Sequence, residues 1–125
     1  MTKRAKPDIL KRVLFAFSRV ELANQALSDE FKASVPDVLQ VRQWEKLRKG
    51  FEAEIFEMLD KGDSQLRVLR LYALLDAINQ AIAQRESASP SHDLILHYYL
   101  NMKTRCSKEL FGLLTPLRLD YNLAA

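Results

Sequence analysis

Apolar residues return every three or four positions through nearly the whole chain, and the pattern breaks three times. Such spacing places them on one side of an α-helix, so the sequence predicts four long amphipathic helices over about residues 7–32, 35–61, 64–86 and 92–114. The first stripe reads Ile9, Leu10, Val13, Leu14, Phe17, Val20, Ala23, Leu27 and Phe31. Pro7 fits its first turn, where no N–H is needed, and Asp8 suits the positive end of the helix dipole.

The breaks carry recognisable stop and start signals. In Ser34-Val35-Pro36-Asp37, Ser34 can cap the second helix and Asp37 completes a capping-box-like pair. The second stripe is Val38, Val41, Trp44, Leu47 or Arg48, Phe51, Ile55, Met58 and Leu59, and Gly62 supplies a left-handed stop. Gly50, mid-helix, marks a close crossing, a bend or a tolerated surface position. Asp63 or Ser64 can cap the third helix, whose stripe is Leu66, Leu69, Tyr72, Ala73, Leu75, Ile78, Ala81 and Ile82, widened by Leu71 and Leu74. Ser87-Ala88-Ser89-Pro90-Ser91 has loop composition, and the fourth stripe follows through Leu94, Ile95, Tyr98, Met102, Cys106, Leu110, Leu113 and Leu114.

Thr115-Pro116 is expected to end the fourth helix, because the residue before proline avoids helical geometry. From Leu117 to Leu123 apolar and polar residues alternate, which predicts an extended tail over residues 115–125, laid along its own bundle or onto another protein. Helices of similar length with short connections fold back on one another. The expected fold is therefore all-α: a four-helix up-down-up-down bundle with a short extended C-terminal tail, in one domain over residues 1–125.

Composition supports this class. With 3 Gly and 4 Pro the chain is poor in the residues that many tight β-turns require. At 48% hydrophobic and 28% charged it is too apolar for a disordered chain. Its longest apolar runs, such as Val13 to Phe17, are far shorter than the roughly 20 residues that cross a bilayer, so no membrane is expected. A single cysteine, Cys106, and no signal-peptide pattern predict a cytoplasmic protein.

The net charge of +3 is unevenly spread. Lys3, Arg4, Lys6, Lys11 and Arg12 outweigh Asp8 at the start, and Arg42, Lys46, Arg48 and Lys49 outweigh Glu45 in residues 38–50. Over residues 51–63 the sign reverses, with Glu52, Glu54, Glu57, Asp60 and Asp63 against Lys61. Arg42, Lys46 and Lys49 recur at i, i+4 and i+7 on one side of the second helix. With Lys3, Arg4, Lys6, Lys11 and Arg12 they form a candidate phosphate-contacting surface.

Reactive chemistry is sparse. His92 and His97 are five apart, where helical ligand pairs need three or four, and the Glu-x-x-His pairs of bundle metal sites are absent. Arg85 and His92 are separated by Ser89-Pro90-Ser91, and Cys106 lies on an apolar stripe with no base to activate it. No metal, cofactor or catalytic residue is expected. His97-Tyr98-Tyr99, in contrast, must point in three directions, so one or two of the rings must be at the surface. With Phe15, Phe56 and Leu71 lying off the main stripes, there is more apolar area than four stripes need, which implies a partner or self-association.

Leu59-Asp60-Lys61-Gly62-Asp63 between two helices, followed by Asp93-Leu94-Ile95-Leu96-His97-Tyr98-Tyr99-Leu100, resembles flagellar export chaperones over about half the chain. The opening motif of that family and the arginine-rich end of its tyrosine helix are missing. The resemblance implies a small helical bundle that wraps the terminal segment of a secreted subunit.

The function expected from the residues is a non-enzymatic, dimeric, protein-binding bundle: an adaptor, secretion chaperone or regulator. Its partner would be an amphipathic or extended segment, anchored by Tyr98, Tyr99, Leu117, Leu119, Tyr121 and Leu123. The alternative is a nucleic-acid-binding accessory or regulatory protein that uses the basic N-terminus and the basic face of helix two.

Overall fold

The computed structural model describes residues 8–88 and 94–124, with side chains described at 8–86 and 94–115. It holds four helices, α1 (Ile9–Lys32), α2 (Val38–Leu59), α3 (Ser64–Ala88) and α4 (Leu94–Ala124), and no strand among the described residues. The chain is all-α, as its periodicity requires. It divides into two compact units, Met1–Leu59 and Asp60–Ala125, each built on one helical hairpin. No helix among the described residues is long and apolar enough to cross a membrane.

In the first unit α1 packs along α2. Asp8 is the N-cap of α1, its carboxylate accepting from the Leu10 N–H at 3.0 Å. Lys32 in the last turn of α1 suits the negative end of the dipole. The cap of α2 is Asp37, whose Oδ1 accepts from the N–H groups of Leu39 and Gln40 at 3.0 and 3.3 Å. Ser34 therefore does not cap α2 as its sequence position suggested. Helical hydrogen bonding begins after Pro36, and Asp37 is the first residue whose side chain can turn back onto the free N–H groups. Glu30 at the end of α1 accepts from the Asp37 N–H at 3.1 Å, which ties the turn across its base.

Burial along α1 follows the expected stripe through Val13, Phe17, Val20, Ala23 and Leu27 and adds Ala16, but Leu14 and Phe31 are exposed. On α2 only Ile55, Phe56, Met58 and Leu59 are buried, whereas Val38 and Leu47 lie open. Full burial of one such aliphatic or aromatic side chain stabilises by about 1.5–3 kcal/mol, so α2 contributes its core energy from its C-terminal end. Phe56, read as surplus, is core.

In the second unit α3 packs along α4. Asp63 caps α3, accepting from the Leu66 N–H at 2.9 Å. Gly62 takes φ +93°, the left-handed geometry that glycine adopts without a Cβ clash. The buried side of α3 carries Arg70, Leu71, Leu74, Ile78, Ala81 and Ile82. This corrects the phase of the expected stripe: Leu66, Leu69 and Tyr72 are exposed, and Leu71, read as an extra, is core. The apolar arc of α3 is wide enough that periodicity alone admits either side in its first two turns. Among the described side chains of α4 the buried ones are Ile95, Tyr99, Met102, Cys106 and Leu110.

The expected extended tail is also corrected, because α4 continues through Pro116 to Ala124. Alternation from Leu117 to Leu123 conceals a helical series, since Leu110, Leu113, Leu117 and Tyr121 recur at steps of three and four. Just before the proline the Thr115 hydroxyl donates to the Phe111 carbonyl at 2.7 Å.

Candidate interaction surface

The turn of the first hairpin leaves its apolar residues uncovered. Phe31, Val35, Val38 and Leu39 fall within nine residues and are between 43% and 86% exposed. Two of them, Phe31 and Val38, sit on stripes that elsewhere in the same helices are core. Asp37 starts α2 and Glu30 clamps the turn, which fixes the end of the hairpin without enclosing its apolar side chains.

The next residues along α2 are basic and open. Arg42, Lys46 and Lys49 are all exposed, so the i, i+4, i+7 series does lie at the surface. Arg48 differs from them. Its Nη1 donates at 2.8 Å to Oδ1 of Asn24, a residue only 1% exposed, which resolves the choice between Leu47 and Arg48: Arg48 turns inward and Leu47 outward. Trp44 is half-buried. Gln43, Lys46, Leu47, Gly50, Phe51 and Glu54 line an open, largely apolar depression on α2.

Of the aromatic anchors expected on α4, Tyr98 is half-buried and Tyr99 is only 3% exposed. Their rings meet edge to face, with centroids 6.0 Å apart and planes at 75°. Tyr99 belongs to the core of its hairpin, and His97 is the ring of the three that faces out. The other expected contacts lie elsewhere: Lys11 and Arg12 are exposed on α1, Lys3, Arg4 and Lys6 fall outside the described residues, and the side chains of Leu117, Leu119, Tyr121 and Leu123 fall outside them too.

Among the described residues two carboxylates are shifted. Partial burial raises the pKa of Glu21. Burial also raises that of Glu109, Asp60 adds to the effect, and Arg105 and Arg67 oppose it. Among the described residues no three His, Cys, Asp or Glu side chains come together as metal ligands would. Cys106 is a buried free thiol.

The open turn was missed in the sequence because Phe31 and Val38 keep the periodicity of core residues. A signal was present in Val35 and Leu39, apolar positions that no stripe accounts for. No protein-family model matches the chain, and neither a curated protein nor a solved structure matches it.

Proposed function

We propose that this protein is a non-enzymatic binding module, an adaptor, chaperone or regulator, that receives an amphipathic segment of a protein partner at the turn end of the α1–α2 hairpin. The observation that carries the reading is the exposure of Phe31, Val35, Val38 and Leu39 together. Isolated exposed apolar residues are ordinary, but four within nine residues, on a turn held by a carboxylate cap and a cross-turn hydrogen bond, offer an apolar platform. Lys32 and Asp37, both exposed beside it, supply a polar rim.

A second reading, nucleic-acid binding, draws on the exposure of Arg42, Lys46 and Lys49 along α2. One experiment separates the two. The wild-type chain and a Val35→Ser/Val38→Ser variant are purified with their associated molecules from native cells, half of each sample being treated with nuclease. Protein partners that survive nuclease and are lost from the variant support the docking reading. Association that nuclease removes, and that the variant keeps, transfers the function to nucleic acid.

A further inference from the structure

The sign reversal along α2 is centred on Gly50, and we infer that this face of α2 pairs antiparallel with the same face of a second copy of the chain. Residues 43, 46, 47, 50, 54 and 57 share one side of the helix, and of these Gln43, Lys46, Gly50, Glu54 and Glu57 are exposed while Leu47 is 49% exposed. A two-fold axis through Gly50 sets each residue level with the one equally far beyond the glycine. Lys46 then lies level with Glu54 of the second copy, and Gln43 with Glu57. Both contacts occur twice, as an isologous interface requires.

The charges select this partner and this direction. On this face Lys46 stands before the glycine, and Glu54 and Glu57 stand after it. An antiparallel copy brings opposite signs together at both ends, whereas a parallel copy would oppose Lys46 to Lys46 and Glu54 to Glu54. Neither Lys46 nor Glu54 has an ion pair among the described residues.

The centre has the shape for a close approach. A Cβ built at Gly50 meets nothing within 4 Å, and the half-buried Phe51 and the outward Leu47 flank the open depression there. Each copy's apolar side chains can therefore lie over the other's bare backbone, with the ion pairs as a rim. This face is separate from the turn end. Failure of the dimer leaves the docking reading standing, and loss of partners from the Val35→Ser/Val38→Ser variant leaves the dimer standing.

Sedimentation velocity across a concentration series, with circular dichroism to verify helicity, tests the interface. The wild-type chain is expected to dimerise, and Lys46→Glu and Glu54→Lys are each expected to weaken the dimer about tenfold or more by opposing like charges. An equimolar mixture of the two variants should recover dimers, because the Lys46→Glu chain carries carboxylates at both positions and the Glu54→Lys chain carries ammonium groups at both. A wild-type chain that stays monomeric overturns the proposal, as does a dimer indifferent to either reversal or a folded mixture that fails to recover. A monomer whose salt-sensitive oligonucleotide binding is lost in Lys46→Glu and strengthened in Glu54→Lys also overturns it, and gives the face to nucleic acid.

Discussion

The guanidinium of Arg48 donates to the side-chain oxygen of Asn24 at 2.8 Å, joining the middle of α2 to the buried side of α1. The bond crosses the hairpin between helices whose cores are apolar, so it fixes which residues lie level with each other more than it adds to the total energy of packing. Replacing Arg48 with Met leaves a buried acceptor on Asn24 and is expected to cost about 1–3 kcal/mol. The Asn24→Leu/Arg48→Met double variant removes both partners and should cost less than the two single changes summed. Urea denaturation of the four proteins measures the coupling, and simple additivity would show that the bond does not specify the pairing.

The glycines of the second unit should respond in opposite directions. Gly62→Ala places a Cβ on a residue at φ +93°, 3.3 Å from Nη1 of Arg70, the group that donates to the Lys61 carbonyl. It is expected to destabilise by about 1–2 kcal/mol. Gly112→Ala, inside α4 with nothing within 4 Å of the new Cβ, is expected to stabilise by up to about 1 kcal/mol. The pair is read from thermal or urea unfolding, and equal effects would contradict the turn geometry.

Pro116 lies within α4 and has no N–H to donate to the carbonyl four residues back, that of Gly112. Pro116→Ala restores the bond, with an expected gain of up to about 3 kcal/mol at full helicity and less where the helix frays. Far-UV ellipticity and unfolding midpoint should both rise. An unchanged ellipticity would mean that residues beyond Thr115 do not continue the helix.

Glu109 should make stability depend on pH. Burial and the Asp60 carboxylate raise its pKa against the pull of Arg105, 4.0 Å away, and of Arg67. The folded form thus keeps its proton to a higher pH than the unfolded chain, and stability falls as pH rises through the interval between the two pKa values, then levels off. Glu109→Gln is expected to be more stable than wild type at about pH 7, and to lose that advantage below the ordinary carboxylate range near pH 4. Unfolding curves at both values decide it, and a variant less stable at neutral pH would show that the Arg105 contact outweighs burial.

Much of this architecture can be read directly from the residues. Stripes such as Val13, Phe17, Val20 and Leu27 identify helices because burial on one side imposes their spacing, and Asp8, Gly62 and Asp63 mark ends through short-range chemistry. What escaped is decided by tertiary packing. Nothing local says that Phe31 and Val38 outrun the core while Val20 does not, or that α3 turns Leu71 inward and Leu69 outward. Pro116 misled for a related reason: its local preference is to stop a helix, and the leucines around it favour continuing one. The candidate surface was visible only as a surplus of apolar residues, and placing that surplus at one turn required the hairpin.

Pairing α1 with α2 and α3 with α4 also has a kinetic consequence. Each hairpin joins helices adjacent in the chain, so little loop entropy is lost before contacts form, and such topologies collapse in microseconds to milliseconds. During synthesis, at roughly 5–20 residues per second, the first hairpin can complete its pairing within moments of α2 becoming free, before α4 is complete. For that interval its bare turn belongs to the apolar surface that the finished first hairpin presents to its surroundings.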